Sequence, residues 1–271
     1  MALLYPNNYR EIQPKAIFFD IDGTLVSFKT KSVPESTKTS IHQLKEKGVK
    51  VIISTGRALN CISNLDDLEF DGYITLNGTI CLDSTRKIIA QHPIPKESLG
   101  KLSLFLEEKP FPCVFVTNKE IFINCINEQI QPVYQLINLP IPPVKDIAEI
   151  MKHDIFQISA FMDSELETEF LDHVLTGCDS ARWHPAFTDF NVKHISKATG
   201  MDELMTYFGI EGQSTMAFGD GGNDISMLKH ATMGIAMGNA ADHVKTVAGY
   251  VTDSVDDDGI VNALKYFHVF S

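Results

Sequence analysis

Lys15–Thr24 reads KAIFFDIDGT, and the way it changes character halfway decides the fold. Lys15–Asp20 is a short apolar run with no polar alternation, the pattern of a strand buried on both faces. It breaks off into two carboxylates, Asp20 and Asp22, followed by Gly23. Downstream, Ser32-Val-Pro-Glu35 predicts a capping box with a proline near the helix start. That helix would run to about Lys47 and stop at Gly48, a glycine suited to a helix C-terminus. Val49–Ser54 predicts a second strand, Thr55-Gly-Arg57 opens a helix through about Leu68, and Tyr73–Leu76 predicts a third strand ending at Asn77-Gly78. Strands alternating with helices of this length imply parallel pairing and right-handed crossovers.

The alternation returns near the C-terminus. Helix Ala198–Phe208, strand Ser214–Phe218, helix Ile225–His230, strand Met233–Ala236, a helix near Asp242–Val247, strand Tyr250–Thr252 and helix Ile260–Phe267 are expected. The middle differs. Cys113–Thr117 and Ile121–Asn127 predict a hairpin turning at Asn118-Lys119, Pro132, Pro140, Pro142 and Pro143 interrupt any helix, and Ser164–Glu167 is a second capping box for a helix to about Val174. The expected organisation is α/β: a Rossmann-like parallel-sheet domain from 1–83 and 191–271, with an inserted antiparallel α+β domain from 84–190.

The chain has 271 residues, 44% of them hydrophobic and 21% charged, enough to bury a core without disulfide or metal staples. Its 23 Lys and Arg against 35 Asp and Glu give a net charge of −12. A chain this acidic is a poor candidate to bind nucleic acid, whose phosphates would be repelled, and no such partner is expected. A phosphorylated small molecule would be repelled too unless a local cation reversed the field. No basic start followed by an apolar stretch marks a leader, and no apolar run approaches bilayer-spanning length, so no membrane association is expected. The five cysteines (Cys61, Cys81, Cys113, Cys125, Cys178) are scattered, with no C-x-x-C pair, which suits small buried residues in a reducing cytoplasm.

Open parallel sheets bind ligands at the carboxyl ends of their strands. Three polar motifs fall at such ends: Asp20-Ile-Asp22-Gly-Thr24, Thr55-Gly56-Arg57 and Gly219-Asp220-Gly-Gly-Asn223-Asp224. If extended geometry persists to Asp22, the side chains of Asp20 and Asp22 point the same way. Two carboxylates so close need a divalent metal or a split protonation, unless the segment is simply an acidic turn. Asp220 and Asp224 add oxygen donors of the kind a hard cation prefers, and no histidine cluster competes with them. Asp224 would alternatively cap the helix beginning at Ile225. Thr55 and the backbone after it suit an anion, or a plain N-cap. Lys197 by position reads as an ordinary surface lysine near a helix start.

Taken together these motifs resemble the haloacid dehalogenase superfamily of aspartate-nucleophile phosphotransferases. The resemblance rests on D-x-D-G-T at Asp20–Thr24, T-G-R at Thr55–Arg57, I-S-K at Ile195–Lys197 and G-D-G-G-N-D at Gly219–Asp224, with Leu76-Asn77-Gly78-Thr79 and Gly234–Asn239 in support. The insertion looks like the type IIB (C2B) cap of the Cof-like sugar phosphatases. The resemblance implies a Mg2+-dependent phosphatase in which Asp20 attacks phosphorus and Asp22 acts as acid and base. It implies Mg2+ held by the Asp20 carboxylate, the Asp22 carbonyl and the Asp220 carboxylate, with Asn223 and Asp224 orienting those ligands. Thr55 would hold a phosphoryl oxygen, Lys197 would supply the local cation that the charge balance demands, and Gly56, Arg57, Asn77 and Asn223 would bind substrate or brace the loops. Hexose or related sugar phosphates are the implied substrates, and a monomer is expected. Val192 and His194 stand where relatives often carry Pro and Gly, Ser54 where Ala is usual, and Thr79 where Ala follows Asn77-Gly78. In the insertion, Arg182, Trp183, His184 and Phe187 are candidates to read the leaving group, although Trp183 and Phe187 read first as core of the insertion itself and His184 as a surface residue. The same motifs admit a phosphosugar mutase of phosphomannomutase type, or a non-catalytic phosphate-binding switch.

Overall fold

The structure is a computed structural model that describes residues 12–136, 139–210 and 214–270. The chain divides into two compact units. One takes the chain up to Arg57, Cys61–Gln91 and everything from Ser196 on; the other is formed chiefly by His92–Ile195.

The first unit is built on β1 (Ala16–Phe19), β2 (Lys50–Ser54), β3 (Gly72–Thr75), β4 (Ile80–Asp83) and β5 (Ile88–Gln91). The second unit contributes β6 (Cys113–Val116), β7 (Ile121–Ile123), β8 (Gln157–Ala160), β9 (Cys178–His184) and β10 (Phe187–Val192). The chain then returns to the first with β11 (Thr215–Gly219), β12 (Met233–Ala236) and β13 (Tyr250–Val251). The first sheet runs β13-β12-β11-β1-β2-β3-β4-β5, parallel from β13 to β3 and antiparallel at β4 and β5. All four residues of β1 are fully buried, and they alternate between two cores. Ile17 and Phe19 join Ile41, Leu44, Ile260 and Leu264 on one face; Ala16 and Phe18 join Met201, Leu204, Met227 and Leu228 on the other. A strand covered by helices on both faces has no polar side, which is why KAIFF is apolar throughout.

The second unit is an antiparallel sheet, β7-β6-β8-β10-β9. Helix Lys96–Glu108 and the segment Ser164–Val174 cover one face through Leu99, Leu102, Phe170 and Val174, and Ile130, Val133 and Phe187 form a separate cluster with Val114 and Ile123. Among the described residues no helix is long and apolar enough to cross a membrane. None of the five cysteines is in a disulfide.

Five local expectations are corrected. Residues 84–91 do not leave the first unit: Asp83 Oδ1 accepts from Thr85 N (2.9 Å), Thr85 Oγ1 (2.7 Å) and Lys87 N (3.0 Å), and this turn sends β5 back along β4. At the other junction β10 runs on to Val192, so 191–195 stay with the second unit. No helix follows Thr55-Gly-Arg57 beyond the single turn Leu59–Cys61; Asn64 and Asp66 take left-handed φ values of 57° and 51°, which a helix cannot include. Ser32 does not cap helix Glu35–Glu46, which begins after Pro34, and its hydroxyl donates to Thr30 Oγ1 instead. Asp163, not Ser164, holds the N-cap position of helix Ser164–Glu169, which widens into a π-turn at Phe170–Val174.

Candidate active site

The order reversal of the first sheet lies at β1, whose neighbours β2 and β11 come from opposite ends of the chain. Such a switch point opens a crevice at the carboxyl ends of the strands. Phe19 pairs with both Ile53 and Phe218, so the residues just beyond β1, β2 and β11 emerge along one edge: Asp20, Thr55 and Asp220.

Lys197 is the centre of the arrangement. It is 0% exposed, and its Nζ lies 2.6 Å from Asp20 Oδ1 and 2.6 Å from Asp224 Oδ1. A lysine is almost never fully buried unless paired, so the expectation of a surface residue is overturned by its two carboxylate partners. Helix Lys197–Phe208 holds the lysine at its first position, where Ser196 and Thr199 form a capping box. Burial works against the charge, but Asp20 and Asp224 outweigh it and hold the ammonium up at about 12.

Asp224 does not cap the helix that follows it. Its Oδ2 reaches back to accept from Asp220 N (2.9 Å) and Gly221 N (2.8 Å), which closes the 219–224 loop on itself. A Cβ on Gly219 would sit 2.5 Å from Asp224 Cβ, so this closure demands glycine there. Asp220 is in turn fixed by Thr24 Oγ1 on Oδ1 (3.2 Å) and Asn239 Nδ2 on Oδ2 (3.2 Å). Gly23 has φ +81° and leaves no room for a side chain, since its Cβ would lie 2.3 Å from Asp220 Oδ2.

Asp20 and Asp22 part company. Extended geometry ends at Phe19, and the backbone turns with Thr24 N on Ile21 O and Leu25 N on Asp20 O, both at 3.3 Å. Asp20 therefore faces Lys197, while Asp22 is gripped by Arg57: Nε donates to Oδ2 at 2.8 Å and Nη2 to Oδ1 at 2.5 Å. The remaining expected residues gather beside them. Thr55 Oγ1 accepts from Arg57 N (3.1 Å), Asn77 N donates to Thr55 O (3.0 Å), and Asn77 Oδ1 accepts from Asn223 Nδ2 (2.9 Å). Asn77 sits at φ 57°, and Gly56 lies against its amide, 3.2 Å from Oδ1 to an added Cβ. Sequence reasoning misses Thr24 and Asn239: they stand inside the motifs at Asp20–Thr24 and Gly234–Asn239, but only the fold shows that they converge on Asp220. Of the residues weighed in the insertion, Arg182 pairs with Glu167 (2.9 Å) and the Phe187 ring packs against Phe161, while the side chain of Trp183 lies outside the described ones.

Carboxylate oxygens of Asp20, Asp220 and Asp224 lie within 4.8 Å of one another, around one ammonium. Three carboxylates against one lysine leave two negative charges uncompensated in a shielded place. The strain shows in the acids themselves. Burial first, then the Asp224 charge, pushes Asp20 up to about 8 against the pull of Lys197, and the same two causes push Asp220 up to about 6. An all-oxygen donor set with two surplus charges fits a hard divalent cation. Asp224 is fully buried, with Oδ1 on the Lys197 ammonium and Oδ2 on two backbone N–H groups, whereas Asp220 is only half-buried and carries one long 3.2 Å contact on each oxygen, so Asp20 and Asp220 are the carboxylates suited to hold it.

A family model for haloacid dehalogenase-like hydrolases matches residues 17–264. The protein YkrA of Bacillus subtilis is 31% identical over 253 residues, covering 93% of this chain and 96% of YkrA. The 5-amino-6-(5-phospho-D-ribitylamino)uracil phosphatase YcsE of the same organism is 26% identical over 262 residues, covering 95% and 97%. Among solved structures, the HAD subclass IIB sugar phosphatase BT4131 superposes with a TM-score of 0.82 at 41% identity, covering 94% of this chain and 100% of that one. The HAD-superfamily phosphatase BT1666 of Bacteroides thetaiotaomicron superposes with a TM-score of 0.88 at 36% identity, covering 98% and 99%.

Proposed function

The chain belongs to the haloacid dehalogenase-like hydrolases, and from that premise we propose that it is a Mg2+-dependent phosphatase of small phosphorylated metabolites, hexose and related sugar phosphates foremost. The observation that carries the reading is the buried Asp20–Lys197–Asp224 chain with Asp220 beside it, at the switch point of the sheet. The likeness to a subclass IIB sugar phosphatase and to a phosphatase of a phosphoribityl compound supports the substrate class.

Asp20 is the nucleophile: its carboxylate attacks phosphorus in line, the bond from phosphorus to the leaving oxygen breaks, and an aspartyl-phosphate forms. Asp22 gives its proton to the leaving alcohol, then takes a proton from the water that attacks the aspartyl-phosphate and frees inorganic phosphate. The Asp20 and Asp220 carboxylates with the Asp22 carbonyl would hold Mg2+, which supplies the charge neutralisation that lets one anion approach another. Lys197 fixes the nucleophile's direction through Oδ1 and adds its charge beside the phosphoryl group. Thr55 Oγ1 accepts from Arg57 N and so keeps its hydrogen for a phosphoryl oxygen. Asp224 shapes the 219–224 loop, and Asn77 and Asn223 brace each other along the same edge. The insertion at 92–195 is read as the cap that excludes water and reads the sugar. Thiols outside any disulfide suit a reducing compartment, and we assign the protein to the cytoplasm as a monomer.

The test is phosphate release from hexose, pentose and triose phosphates, nucleotides and pyrophosphate, with and without Mg2+. Release that depends on Mg2+ and peaks on hexose phosphates is expected. Transfer of the phosphoryl group to a second sugar instead of water would reassign the chain as a mutase. No release and no phosphorylation of Asp20 would make it a binding protein.

A further inference from the structure

We propose that Arg57 is a positioning residue for Asp22 and not a ligand of the substrate; the proposal rests on the phosphatase reading above. Its guanidinium forks the carboxylate, with Nε on Oδ2 at 2.8 Å and Nη2 on Oδ1 at 2.5 Å. The opposite edge is also committed, Nη1 donating to Cys61 O and to Asn64 Oδ1, both at 3.3 Å. Of the five N–H donors an arginine carries, four are thus engaged on protein groups, which leaves little to offer a phosphate.

The arginine is itself fixed. Its backbone N donates to Thr55 Oγ1 (3.1 Å), and its carbonyl accepts from Leu76 N (3.1 Å). Asn64, which it grips, donates from Nδ2 to Lys31 O at 3.0 Å. The loop that carries Asp22 is therefore held at both ends from one side, at Asp22 by Arg57 and at Lys31 by Asn64. Asp22 needs such a hold. Its side chain is 44% exposed and lies past the end of β1, where nothing in the sheet selects its rotamer. A partly exposed pair of this kind adds little to stability, so orientation is what the fork supplies. Each Asp22 oxygen keeps a lone pair outside the fork, so the proton passed to the leaving oxygen is carried on that side, and its reach depends on the orientation the fork sets.

The experiment uses the full chain with Mg2+ and follows leaving-group release in a single turnover. One substrate is a hexose phosphate, whose alkoxide needs a proton; the other is p-nitrophenyl phosphate, whose phenolate does not. Arg57→Ala should slow hexose release roughly ten- to hundredfold, part of the factor a positioned acid contributes. Release of p-nitrophenolate and KM for both substrates should stay near wild type. Arg57→Lys, which keeps the charge but cannot fork, should restore little of the loss. Asn64→Ala should show the same selectivity more weakly, and this milder change keeps the test open should Arg57→Ala fold poorly. Adding Arg57→Ala to Asp22→Asn should slow hexose release no further. A KM raised alike for both substrates would make Arg57 a phosphate ligand, and an equal rate loss on both would make it merely structural; either overturns the proposal. A wild-type chain that cleaves neither substrate would overturn the phosphatase reading, and this proposal with it.

Discussion

A fully buried ammonium between two buried carboxylates makes Lys197 the residue on which both stability and chemistry depend. Removing one partner of a buried ion pair leaves the others uncompensated. Lys197→Met should therefore destabilise the protein by about 3–5 kcal/mol, read from denaturant unfolding, besides abolishing turnover. Asp20→Asn replaces a buried, crowded carboxyl by a neutral amide. It should abolish phosphate release while the melting temperature of the Mg2+-free protein holds or rises; residual turnover would cost Asp20 its role as nucleophile. The raised carboxyls also give a pH dependence. Asp20 moves from 3.8 to about 8 and Asp220 from 3.8 to about 6, so between those values the folded state holds more protons than the unfolded chain. Stability that is present below pH 4 should then fall as the pH climbs to about 6 through Asp220 and to about 8 through Asp20. Melting curves from pH 4 to 8 without Mg2+ should show this decline, and adding Mg2+ should flatten it.

At the scale of elements, helix Lys197–Phe208 delivers the lysine because it can approach the sheet closely. A Cβ on Gly200 would meet Ile74 Cγ2 at 2.5 Å and Cys81 Sγ at 3.3 Å. Gly200→Ala should therefore push the helix off β3 and β4, at a cost of about 1–3 kcal/mol in unfolding free energy, with a loss of activity because Lys197 moves with it. Elements with one strong periodic signal were legible in the sequence: helix Ile225–His230 and strand Met233–Ala236 match their expected bounds. The segment after Thr55 was not. Its capping-like start suggested a helix, but Leu65 and Phe70 are drawn into the core, and the loop between is shaped by Asn64 and Asp66 in the left-handed region. The turn at Asp83–Lys87 was also missed, since three hydrogen bonds onto one aspartate oxygen leave no periodic trace.

For the molecule as a whole, the two cores of the first sheet draw on no residue of 92–195 among those described. A chain in which 92–195 is replaced by a short Gly/Ser linker should fold cooperatively and keep the Mg2+-dependent rise in melting temperature. Loss of cooperative unfolding would show that the insertion is needed for the core to form. Size-exclusion chromatography of the full chain should give a mass near 30.2 kDa, as expected for a monomer.

The sequence by itself determined the parallel α/β plan, the presence of an insertion, and the acidic and hydroxyl residues at strand ends. Each is written in a local pattern: an apolar run, a turn pair, a motif of a few residues. Only the tertiary structure decided which charges meet. Lys197 reaches Asp20 from 177 positions away and Asp224 from 27, and Asp22 finds Arg57 instead of the carboxylate two residues before it. A side chain's partner depends on where strands and helices converge in space, and an aspartate's neighbours in the sequence carry no record of the lysine that will neutralise it.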